Sequence, residues 1–144
     1  MKRFIALFIC VVVVMSLIVP VSAASRASNG YNSKSITYNN KPYTVTLSTL
    51  YSTTYGAYLK ATCQAAIEIR FHNLSVEYDT YSYGYVTNTG GAKQAWFTET
   101  KHTIYSYYVP CSRGMDQVIE YRSINGSANF YASSTPDTLS VSAW

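Results

Sequence analysis

Charge is scarce in this chain. Only 12% of its 144 residues are Asp, Glu, Lys or Arg, about half the usual share of a globular protein, and no run of like charge occurs. Eleven basic residues stand against seven acidic ones, for a formal net charge of +4, which is too mild and too scattered for a nucleic-acid footprint. Histidine is confined to His72 and His102. There is no phosphate-binding glycine loop, zinc-binding histidine pair or calcium loop, so neither a cofactor nor a metal is expected. Sustained helical periodicity is missing beyond residue 24, which excludes a helical bundle. Disorder is excluded from the other side: a chain too polar to fold has many charges and few aromatics, and here 15% of the residues are aromatic.

What is present begins with a leader. Met1-Lys2-Arg3 is positive, Phe4 to Val19 is apolar apart from Ser16, and Pro20-Val21-Ser22-Ala23-Ala24 ends on small residues. That layout is a secretory signal peptide over residues 1–24. An uncleaved membrane anchor is the alternative, since the run approaches bilayer-spanning length, but the helix-breaking Pro20 and the small residues favour cleavage after Ala23 or Ala24. Loss of Lys2 and Arg3 lowers the net charge from +4 to +2. The expected location is extracellular, with no membrane association after cleavage. Residues 25–34, rich in Ser, Ala and Asn, read as a flexible N-terminal arm, leaving 35–144 as one folded domain.

Cys10 lies in the leader, where Phe8-Ile9 occupies the place a lipoprotein signal fills with small residues. Cys63 and Cys111 remain. In an oxidising compartment they are expected to pair as a disulfide, closing a loop of about 49 residues and stabilising the fold by roughly 4 kcal/mol.

Alternation of period two marks the strands. Cys63, Ala65, Ile67, Ile69 and Phe71 share one face, with Gln64, Glu68 and Arg70 on the other. Tyr43, Val45 and Leu47 alternate with Thr44, Thr46 and Ser48, and Leu139, Val141 and Ala143 repeat the pattern. Turn chemistry falls between these runs at Asn39-Asn40, Tyr55-Gly56, Gly90-Gly91, Arg113-Gly114, Asn125-Gly126 and Pro136-Asp137, with Asn125-Gly126 the strongest hairpin signal. The fold class expected is all-β, a small antiparallel β-sandwich with one disulfide. It is immunoglobulin-like in architecture only: Trp96 lies too late between the cysteines, and Val109 stands where a tyrosine corner would place Tyr.

All fifteen tyrosines follow the leader. If Leu74 to Val86 is one strand turning at Thr89-Gly90-Gly91, Asp79 opposes Lys101, Tyr83 opposes Phe97, Gly84 opposes Trp96 and Val76 opposes Ile104. His102 then faces Tyr78. That register sends Tyr81, Tyr83, Tyr85, Phe97, Tyr105 and Tyr107 outward as an aromatic face. Flat rings with hydroxyl tips suit sugar rings or a protein partner.

Catalysis has little support. No nucleophile elbow marks a serine, each histidine reads as structural, and the carboxylate pairs Glu77 with Glu99 and Asp116 with Glu120 would need a defined separation to cleave a glycoside. The expectation is a secreted, non-enzymatic binding module that engages an extracellular polymer, cell-wall or other glycan, or a partner protein. Alternatives are a self-associating surface protein or a secreted antagonistic toxin or inhibitor.

Overall fold

The computed structural model describes residues 30–52, 56–111 and 118–143. The leader, Tyr55, Arg113-Gly114 and Asp116 lie outside the described residues. Nine strands follow in order: β1 (Tyr31–Tyr38), β2 (Lys41–Ser52), β3 (Gly56–Thr62), β4 (Glu68–Thr80), β5 (Gly84–Thr89), β6 (Lys93–Trp96), β7 (Thr103–Tyr105), β8 (Val118–Tyr131) and β9 (Asp137–Ala143). They form two antiparallel sheets, one ordered β1-β2-β3-β7 and the other β5-β4-β8-β9, with β6 also paired to β4. β9 lies over β1 and β2, β8 over β2, and β4 over β3. The two-layer all-β expectation is the architecture found.

Burial follows the alternation read from the sequence. Val45 and Leu47 of β2 and Leu139, Val141 and Ala143 of β9 point between the sheets, with their neighbours outward. Residues 63–67 alternate as expected but are not a strand; β4 starts at Glu68. Within β4 the inward positions change parity, from Ile69 and Phe71 to Leu74, Val76 and Tyr78. A bulge between His72 and Ser75, with Asn73 at a φ of 51°, makes that change possible. Without the extra residue, half of the strand would show its apolar side to water.

The turns follow the sequence reading at Asn39-Asn40 and depart from it elsewhere. Asn39 and Asn40 both have positive φ and close the β1–β2 hairpin, the backbone a type I′ turn requires. Asn125-Gly126 closes nothing; it lies inside β8. Gly126 is there because a Cβ would meet the Leu59 side chain at 2.7 Å across the layers. The chain reverses after β4 at Tyr81-Ser82-Tyr83, with Gly84 at φ +65 supplying the left-handed position. Gly90-Gly91 instead joins β5 to β6 along the same edge of β4, opposite the bulge.

Every expected pairing built on the later turn is therefore replaced. Asp79 opposes Tyr85, Val76 opposes Asn88, Thr80 opposes Gly84, and Trp96 opposes Glu68. Ile104 pairs with Ala61 in the other sheet. His102 does not face Tyr78; its carbonyl accepts the Cys63 N–H. Phe97, expected outward, is 2% exposed and stacks on Phe130, with ring centroids 6.3 Å apart and planes 8° apart.

The disulfide is also corrected. Cys63 and Cys111 are both free and buried. Cys63 follows the last residue of β3, whereas the Cys111 amide lies 3.0 Å from where a Cβ on Gly56 would sit, at that strand's first residue. The strand rise puts about 20 Å between these ends, and bridged Cα atoms stand within about 7 Å. The Cys63 thiol accepts the Ala65 N–H, and the Cys111 thiol bonds the Val109 carbonyl.

Of the expected arm, residues 25–29 lie outside the described residues. Residues 31–34 belong to β1 and pair with 45–48. On the inward face of this edge strand Ile36 is buried in the core, while Asn32 and Lys34 reach the neighbouring sheet: Asn32 donates to the Ser140 carbonyl at 2.8 Å and Lys34 pairs with Asp137 at 2.6 Å. An edge strand with inward-pointing charge is poorly suited to adding another strand.

Candidate binding surface

The fold divides the expected aromatic face. Tyr81, Tyr83 and Tyr85 are exposed at the β4–β5 turn of the five-stranded sheet. Tyr105 is exposed on the outer face of the four-stranded sheet, opposite Lys60. Tyr107 is exposed beside the edge strand β6, with the Lys93 ammonium 5.1 Å from its ring. Phe97 belongs to the core. Five of the six expected residues thus meet solvent, but they form separate clusters because β5 and β7 belong to different sheets.

Around Tyr85 the cluster is electrostatic. Asp79 lies opposite Tyr85 in the register and accepts from the Arg122 Nε at 2.7 Å. The Arg122 guanidinium sits 5.8 Å from the Tyr85 ring centroid. Glu77 accepts from the Ser123 hydroxyl at 2.7 Å and from the Tyr85 hydroxyl. Those two hydrogen bonds hold its carboxyl below the usual carboxylate range.

At the far end of the same sheet lies a second cluster that the sequence reading missed. Trp96 and Tyr131 both oppose Glu68, one from each side. Arg70 bonds Glu68 and places its guanidinium 4.7 Å from the Tyr131 ring. Gln94 donates to the same Glu68 oxygen at 2.8 Å. A signal existed in the sequence: Trp96 alternates with Gln94 and is followed by Phe97, so one of the two neighbouring rings had to face out.

On the other sheet the rings touch one another. Tyr58 is 5.7 Å from Tyr105 and 4.8 Å from Tyr108 between centroids. Burial, followed by the Tyr108 and Tyr105 phenols, pushes the Tyr58 phenol up. The Lys93 ammonium donates to the Tyr105 carbonyl at 2.6 Å, tying β6 of one sheet to β7 of the other.

The Glu77 and Glu99 pair is not spaced for glycoside cleavage. Glu77 and Glu99 stand at opposite ends of β4, since the Phe97 N–H bonds the Ile67 carbonyl, and the strand rise separates them by roughly 30 Å. Glycosidase carboxyls stand within about 10 Å. A general acid needs a raised pKa, and Glu77 is shifted the other way. Among the described residues, no group of three or more His, Cys, Asp or Glu could hold a metal ion. No protein-family model matches this chain, and no curated protein matches it in sequence.

Proposed function

We propose that the protein is a secreted, non-catalytic binding module whose exposed rings engage an extracellular polymer. The observation that carries this reading is the chemistry of the exposed apolar surface. Among the described residues, the large exposed hydrophobic side chains are Tyr31, Tyr81, Tyr83, Tyr85, Trp96, Tyr105, Tyr107 and Tyr108. All eight are aromatic. A lipid-facing or generic docking surface would mix in leucine and isoleucine, whereas rings with polar tips suit ligands that are themselves apolar on one side and hydroxylated on the other. Cations beside Tyr85, Tyr107 and Tyr131 restrain those rings, so less side-chain freedom is lost on contact.

Co-sedimentation of the purified protein with insoluble peptidoglycan, chitin and cellulose tests the reading. Depletion from the supernatant by at least one polymer, reduced when Tyr81, Tyr83, Tyr85, Tyr105 and Tyr107 are together replaced by alanine, is the expected result. Full recovery in the supernatant for all three polymers would oppose it.

A further inference from the structure

We propose that the outer face of the five-stranded sheet is a track for one extended, uncharged polysaccharide chain, with ring platforms at its two ends. This rests on the binding-module reading and names its ligand class and its location. Three features of the face converge on that occupant.

The first is layout. Trp96 and Tyr131 flank β4 at Glu68, and Tyr85 flanks it at Asp79. The strand rise puts these ends about 30 Å apart, too far for one or two sugars to touch both. Between them the outward positions include Thr87, Thr89, Ser75, Asn125, Ser127 and Asn129, hydroxyls and amides that can donate and accept along a polyhydroxylated chain.

The second is charge. Both arginines of the face are committed, Arg70 to Glu68 and Arg122 to Asp79, while Glu77 and Glu120 add further negative charge. Among the described residues of this face, a phosphate- or carboxylate-bearing polymer would find no free cation and would meet repulsion. An uncharged polymer meets neither problem.

The third is restraint. Arg70 packs on Tyr131, Arg122 packs near Tyr85, and the Tyr85 hydroxyl is bonded to Glu77. Platforms already held in place favour a ligand that stacks without rearranging the sheet.

Affinity electrophoresis in native gels tests this, with hydroxyethylcellulose and glucomannan as uncharged polymers and polygalacturonate as an anionic one. Wild type is expected to be retarded by an uncharged polymer and not by polygalacturonate. Trp96→Ala and Tyr85→Ala should each weaken retardation about tenfold, the scale of one lost ring contact. Trp96→Phe should keep most of it, and Tyr58→Ala on the opposite sheet should change nothing. A short oligosaccharide series should show affinity rising until the ligand spans both ends. If an uncharged polymer retards the protein but only Tyr58→Ala abolishes the effect, the track is wrong and the binding-module reading stands. Equal retardation by polygalacturonate overturns the choice of an uncharged ligand. If no polymer retards the protein and none sediments it, both readings fall. Melting temperatures of the variants, expected within a few degrees of wild type, separate lost binding from lost folding.

Discussion

The two layers of the sandwich are alike where they meet and unlike where they face solvent. Strands of the four-stranded sheet carry Lys34, Lys41 and Lys60 and no carboxylate. Strands of the five-stranded sheet carry Glu68, Glu77, Asp79, Glu120 and Asp137 with Arg70, Lys93 and Arg122. The difference extends to the rings. On the four-stranded sheet Tyr58, Tyr105 and Tyr108 hold one another by ring contacts; on the five-stranded sheet Tyr85 and Tyr131 are held by arginines that carboxylates position. Surface tyrosines that look equivalent in sequence therefore sit in two physical settings, one insensitive to salt and one sensitive to it.

The largest expected effect separates a ring inside the layers from rings outside them. Phe97→Ala should cost about 3–5 kcal/mol in denaturant unfolding, since it empties the stack on Phe130, whereas Tyr81→Ala should stay within about 0.5 kcal/mol. Equal effects would mean that Phe97 is not the core residue described. Next comes the seam between layers: Gly126→Val should destabilise by roughly 1–3 kcal/mol through its clash with Leu59. A companion Leu59→Ala change should recover part of that loss if the contact is the cause.

Alkaline pH probes a cluster between the layers. Burial pushes the Cys111 thiol up to about 11 and the Tyr121 phenol up as well, so the fold favours both neutral forms. Their contribution should be complete below about pH 9, where an unfolded thiol stays protonated, and should fade as pH rises from 9 toward 11. Unfolding midpoints measured across that range should fall, and a flat profile would remove the argument. Iodoacetamide without reductant should label Cys63 and Cys111 only once the protein is denatured; a peptide linking the two would restore the disulfide. The smallest effect sharpens the outer-face contrast: Arg122→Ala should cost less than about 1 kcal/mol, and that cost should shrink with added salt, while the effect of Tyr58→Ala should not change with salt.

In the runs marked by clear alternation the buried face was legible, because alternation is a local property that burial enforces residue by residue. Val45, Leu47, Ile69, Phe71, Leu139 and Val141 were all placed correctly by it. Pairing was not legible, because it depends on where a turn falls, and several glycine-containing dipeptides mark candidates equally well. Gly90-Gly91 has the composition of a hairpin loop, yet Gly84 makes the turn, and Phe97 then falls opposite Ile67, beyond the β4 bulge that reverses the buried parity, which places it in the core. Asn125-Gly126 misled for a similar reason: its glycine answers to Leu59, a residue on the other layer that no local pattern reveals. The cysteine spacing likewise says nothing about two residues lying at opposite ends of β3.

Backbone amide shifts of the labelled protein, recorded by NMR while a soluble uncharged polysaccharide is added, test most directly whether exposed rings form the contact surface. The account predicts perturbations centred on Trp96, Glu68 and Tyr131 at one end of the five-stranded sheet and on Asp79 and Tyr85 at the other. Shifts confined to the β1 and β9 edges, or no shifts with any polymer, would contradict it.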